Sequence, residues 1–186
     1  MFEVNNTMYT TFKFKRILLV AFIASSVFSS PLIADDGAKK VPLKPKLTLV
    51  GSKKKKTLGD VLKSNDVSIM QFWASWCVGC GEVMSQLAKR SKTDTSVGYV
   101  SVSIDEDMPT AVRYFRSKPE DVRAALPNAL LDEGGEKIAE PLNITSLPVV
   151  LIVGRDGTVY QKIAGHPKPA DLNTMIAKIR SEKGGK

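Results

Sequence analysis

The chain's two cysteines, Cys77 and Cys80, stand three residues apart at the end of the run Phe72-Trp73-Ala74-Ser75-Trp76-Cys77-Val78-Gly79-Cys80. At that spacing a turn of helix beginning at Cys77 brings both sulfurs to one side, close enough to bond or part. A dithiol that opens and closes is the chemistry such a pair offers. The thiolate is the reactive form of cysteine, and the free N–H groups and dipole of a helix N-terminus stabilise it. The flanking residues predict that setting. Val67 to Trp73 is apolar, β-branched and aromatic enough for a buried strand, while Val83, Met84, Leu87 and Ala88 recur at helical spacing. The motif therefore closes a strand and opens a helix, with Cys77 at the exposed tip as the attacking sulfur and Cys80, one turn in, as the more buried resolving sulfur.

Three other readings use the same pair. A purely structural disulfide would stabilise little, because so short a loop removes little entropy from the unfolded chain. A zinc site needs four ligands, and with His166 the only histidine and no other cysteine a second chain would have to complete it. Two inert buried thiols fit poorly with an aromatic strand-to-helix junction.

The Phe72-Trp73-Ala74-Ser75-Trp76-Cys77 run with Cys80 resembles the thioredoxin-like superfamily and, within it, the extracytoplasmic TlpA/ResA group of thiol–disulfide oxidoreductases, over about Leu47 to Ile179. The resemblance implies an α/β, thioredoxin-like fold: a central mixed β-sheet flanked by helices, with a TlpA-type βα insert where Leu130-Leu131-Asp132, Gly134-Gly135 and Lys137 to Glu140 stand. It implies catalysis by Cys77 and Cys80 and substrate binding by Trp76, Val78, Gly79, Leu147 and Pro148. In this group a cis proline stands beside the dithiol and the backbone before it pairs with an extended substrate; Pro148 and Leu147 match those places. From the residues alone, a proline opening the strand Val149 to Val153 is awkward because it donates nothing to the ladder, and an ordinary trans proline at the first strand position is the alternative. No cofactor beyond the redox-active disulfide is implied. The implied partners are disulfide-containing client proteins, apocytochrome c among the group's known targets, and a membrane electron donor.

Composition bounds the rest. A chain of 186 residues, 43% hydrophobic, holds one domain with a proper core. The formal charge of +8 falls to +6 without residues 1–34, which carry Lys13, Lys15, Arg16 and Glu3, too mild for a nucleic-acid partner. Those 34 residues read as an export signal: basic residues, the apolar run Ile17 to Ala24, then Pro31 and Leu32-Ile33-Ala34 ahead of Asp35. The alternative is an uncleaved membrane anchor, although serines interrupt the stretch short of the ~20 apolar residues that a span needs. A periplasmic or otherwise extracytoplasmic location follows in either case. Residues 35–46 are expected to be a flexible tether, 47–183 the domain and 184–186 a tail.

Along the domain, Leu47 to Val50 is expected to be an edge strand and Lys53 to Lys56 a solvated turn, with attraction to an anionic membrane surface as the other reading. Thr57 to Leu62 suggests a short helix. Val97 to Ile104 is a second buried strand, so strand, helix and strand form a parallel crossover. Asp105-Glu106-Asp107 reads as the polar start of a helix carrying Ala111, Val112, Tyr114 and Phe115 rather than a cation site. Pro119 closes that helix and opens a short turn. Arg155-Asp156-Gly157 predicts a hairpin into Val159 to Ile163, His166 reads as a solvated loop residue, and Leu172, Met175, Ile176 and Ile179 make a final helix stripe.

The sequence departs from the group's pattern at four places. Gln71 stands where thioredoxins carry a buried acid, and an amide cannot take a proton from Cys80. Glu82 lies one position before the group's usual acid, about 100° around the helix. Gly79 replaces the proline common before the second cysteine, and Ser85 the proline later in the helix. Because Val78-Gly79 offers Cys77 neither imidazole nor cation, the expected protein is a reductant rather than a disulfide donor; the alternatives are an oxidase or isomerase and a non-catalytic, redox-responsive binding module.

Overall fold

In this computed structural model, which describes residues 39–184, the chain runs β1 (Lys46–Leu49), β2 (Lys55–Thr57), α1 (Leu58–Leu62), β3 (Val67–Trp73), α2 (Cys80–Thr93), β4 (Gly98–Ser103), α3 (Met108–Arg116), α4 (Glu120–Ala125), β5 (Ala129–Leu131), β6 (Val149–Gly154), β7 (Val159–Ala164) and α5 (Pro169–Gly184). The segment expected to be an export signal or anchor lies outside the described residues. Among those described, no helix is long and apolar enough to cross a membrane.

The strands form one seven-stranded sheet in the order β2-β1-β5-β4-β3-β6-β7. β3 is parallel to β4, as the crossover predicts, and antiparallel to β6, with Phe72 opposite Val149. Every β3 residue is buried, because the strand is covered on both faces. Its side chains alternate: Val67, Ile69 and Trp73 join one apolar cluster with Val83, Met84 and Leu87 of α2, Ala111 of α3, Val122 of α4 and Leu172, Ile176 and Ile179 of α5. Met70 and Phe72 point into the other, with Leu58, Val61 and Leu62 of α1 and Ile138, Leu142 and Ile144. Gln71 falls on the α2 face, which places its amide beneath the start of that helix. α1 is short but well started, with Thr57 and Asp60 forming a reciprocal capping box.

Four expectations are corrected. The first strand is not the edge: β2 pairs outside it, so Lys55 and Lys56 belong to a strand rather than to a turn. Backbone pairing with β1 imposes the strand, and the lysine side chains stay exposed. Residues 39–43 are no loose tether. Val41 is buried, its N–H reaches the Gly157 carbonyl at 2.8 Å, the Val159 N–H reaches the Lys39 carbonyl at 2.9 Å, and Lys40 meets Asp156 at 3.2 Å. The hairpin turn that they cover is as expected, with Gly157 at φ 81°. The strand of the insert lies between β1 and β4, but Lys137 to Glu140 is a series of turns instead of a helix. The buried Asp132 carboxylate accepts the N–H groups of Lys137, Ile138 and Ala139 at 3.1, 2.9 and 3.2 Å, which satisfies them without a helical ladder. Of the acidic trio, Asp107 caps α3 as predicted, whereas Asp105 is turned inward and buried.

Candidate active site

The motif leaves β3 at Trp73, whose carbonyl takes the Ile104 N–H at 2.9 Å. Beyond it the chain turns, and Asp105 braces the turn: one carboxylate oxygen accepts from the Ser75 N–H and hydroxyl at 2.9 and 2.8 Å, and the other accepts from the Ser103 hydroxyl at 2.7 Å. A carboxylate that is 2% exposed persists there because three donors replace its water. Nothing in the sequence separates this acid from Glu106 and Asp107; only its place after β4 puts it behind the motif.

Cys77 and Cys80 form a disulfide with an S–S distance of 2.03 Å. α2 begins at Cys80 with Gly79 as its N-cap, so Cys77 sits in the preceding turn and not in a first helical turn as the spacing predicts. The Cys77 N–H bonds the Ala74 carbonyl at 3.1 Å, and the Cys77 carbonyl takes the Cys80 N–H at 3.4 Å. Cys77 is also less open than expected, at 6% exposure, though Cys80 is fully buried as predicted. Its two neighbours stand out instead: Trp76 is 65% exposed and Val78 fully so. Gly79 is half-buried between the cysteines.

Beneath the pair, the Gln71 amide donates through Nε2 to the Cys80 carbonyl at 2.9 Å, and its Oε1 has no partner among the described residues. Cys80 Sγ lies 3.9 Å from the Phe72 carbonyl, an acceptor for the thiol once the bond opens. Trp73, fully buried, stacks on Tyr114 and Phe115 of α3 at ring-centre distances of 5.3 and 6.1 Å, which fixes the strand end against that helix. The β3/β6 register places Pro148 at the same end of the sheet. The Leu147–Pro148 bond is cis, with Leu147 half-buried and Pro148 buried.

Two groups reach the start of α2 from distant segments, and the sequence does not announce either. His166, expected to be merely solvated, packs on Gly79: a Cβ there would lie 2.6 Å from its Nε2. Its Nδ1 faces Glu82 Oε2 at 3.6 Å, so Glu82 meets the histidine. On another side Lys118 lies 3.8 Å over the Tyr114 ring, with its Nζ 3.0 Å from where a Gly81 Cβ would stand. The dipeptide Val78-Gly79 brings no cation, but the fold supplies an imidazole and an ammonium nearby.

A mixed sheet covered by helices, with a Cys-x-x-Cys disulfide between a central strand and a helix and a cis proline at the same sheet end, defines the class of thioredoxin-fold dithiol proteins. Residues 65–159, just over half the chain, match the family described as thioredoxin-like, and the chain belongs to that family. It is 35% identical over 81 residues to Thioredoxin-2 of Pyricularia oryzae, a match covering 44% of this chain and 43% of that protein. It is 29% identical over 111 residues to the thiol-disulfide oxidoreductase ResA of Bacillus thuringiensis subsp. konkukian, covering 59% and 61%. The chain thus spans less than two thirds of either relative. Among solved structures, a secreted Mycobacterium tuberculosis disulfide oxidoreductase homologous to E. coli DsbE shares the fold, with a TM-score of 0.57 at 15% identity over 72% of this chain and 95% of that one.

Proposed function

We propose that the protein is an extracytoplasmic thiol–disulfide oxidoreductase that reduces disulfides in exported proteins, apocytochrome c among them, through Cys77 and Cys80. The observation that carries this reading is the closed Cys77–Cys80 bond set beside an exposed Trp76 and Val78, with one sulfur sealed and the other at the rim. In the reduced protein, the Cys77 thiolate attacks one sulfur of a client disulfide, and the other leaves as a thiolate that takes up a proton. Cys80 then attacks Cys77 Sγ, the client's second sulfur departs, and the Cys77–Cys80 bond closes; two electrons have passed to the client. Trp76, Val78 and Gly79 on one side and Leu147-Pro148 on the other would hold the client chain. A membrane partner carrying electrons from the cytoplasm would reopen the bond. Turnover of a protein disulfide by wild type and not by Cys77→Ser tests the exchange.

The match to ResA supports the exchange chemistry, and the secreted character of the Mycobacterium tuberculosis structure is consistent with action outside the cytoplasm. Residues 1–34 would then be the export signal. Mass spectrometry of the exported protein is expected to find a mature chain starting at Asp35; one still starting at Met1 or Met8 would make the segment an anchor.

The reducing direction follows from how little holds the Cys77 thiolate. His166 is 41% exposed and faces the carboxylate of Glu82, which limits its pull on the sulfur to that of a half-exposed pair. A modestly stabilised thiolate leaves the disulfide comparatively stable and its potential low. Equilibrium titration against glutathione is expected to give a potential below about −150 mV; a higher value would indicate an oxidase or isomerase.

A further inference from the structure

His166 is held against Gly79 of the motif by ties on both sides of it. The preceding Gly165 donates its N–H to the Pro148 carbonyl at 2.8 Å, and the following Pro167 accepts from Gln86 Nε2 on α2 at 2.7 Å. Between these ties the ring turns one nitrogen toward the motif. A Cβ on Gly79 would lie 2.6 Å from Nε2 but 3.5 and 3.6 Å from Cδ2 and Cε1, so Nε2 is the atom that approaches the residue between the cysteines. Nδ1 points toward Glu82 Oε2 at 3.6 Å, too long for a hydrogen bond but close enough to orient the ring electrostatically.

The charge on the other side of this contact depends on redox state. The Cys77–Cys80 disulfide is neutral, whereas the reduced pair can place a negative charge on Cys77, and a protonated imidazole nearby favours the ionised sulfur. Lys118, two residues beyond the end of α3, is a further charged group at this end of α2, beside Gly81. Glu82 is the acid whose contact with the ring is direct.

We propose that His166 is the electrostatic partner of Cys77 in the reduced protein: its ring, oriented by Glu82 so that Nε2 faces the motif at Gly79, favours the Cys77 thiolate over the thiol. No bond between heavy atoms forms or breaks; the ring biases the ionisation of the thiol. His166 is thus a tuning residue that sets how much Cys77 is ready to attack. The inference rests on the exchange reading, but its test uses the reduced full chain without any client.

The experiment is the rate of Cys77 alkylation by iodoacetamide as a function of pH, with the labelled site confirmed by peptide mapping. His166→Gln is expected to slow the reaction near neutral pH roughly threefold to fivefold, the size of a half-exposed ion pair, and to shift the profile to higher pH. His166→Lys, which keeps a cation at the same place, is expected to retain most of the rate. A His166→Gln profile that superimposes on wild type overturns the proposal, and so does equal slowing by both substitutions, which would make the ring a packing element only. Failure of the exchange reading would look different: Cys77 would alkylate with the histidine-dependent profile while the wild-type protein turned over no disulfide.

Discussion

Cys77→Ser is expected to lower turnover of a protein disulfide by on the order of a thousandfold or more, because the attacking atom itself is lost and the buried Cys80 cannot replace it. Cys80→Ser should behave differently. Cys77 still attacks, but nothing resolves the mixed disulfide, so clients accumulate covalently bound to Cys77. Brief alkylation of the reduced wild type should mark Cys77 first, since it keeps 6% exposure where Cys80 has none. Capture of clients by Cys77→Ser in place of Cys80→Ser would reverse the two roles. Binding of the same partners by both variants, with no turnover by wild type, would identify a docking module in place of an enzyme.

The second large effect is on stability. Trp73→Ala removes a fully buried ring stacked on Tyr114 and Phe115 at the point where β3 becomes the motif, and is expected to cost about 3–5 kcal/mol. For a domain of this size that corresponds to a fall in Tm of roughly 10 °C. Trp73→Phe should cost less than half as much. It keeps an aromatic face for the stack and loses no hydrogen bond, because the indole Nε1 has no partner among the described residues. Chemical denaturation of the two variants makes the comparison. Equal destabilisation would show that the indole N–H is bonded in solution and that the ring stack matters little.

The contrast between what local pattern encodes and what it does not runs through the site. β3 and the apolar stripe of α2 were legible because burial on two faces, and on one helical face, writes a period into the side chains. The hairpin was legible from Arg155-Asp156-Gly157, and the cis bond before Pro148 followed from the family resemblance. His166 was not legible, because its role depends on the Gly165 bond to Pro148 and the Pro167 bond to Gln86, contacts between segments far apart in the chain. Asp105 and Asp132 escaped for a related reason. An acid that accepts buried N–H and O–H groups has the same letter as one in solvent, and only tertiary closure tells them apart. Lys55 and Lys56 form a strand through backbone pairing that their side chains do not advertise.

That outer strand has a consequence for how molecules of this protein meet one another. A sheet with two open sides offers each neighbour a row of unpaired amides, the template on which chains stack into insoluble aggregates. Here one border carries the exposed Lys55 and Lys56, whose like charges repel an incoming copy, and the other is begun by residues 39–41 lying against Thr158 and Val159. Copies of such a molecule are therefore kept apart at the β2 margin and at the start of β7, while Trp76 and Val78 leave an apolar surface open at the dithiol.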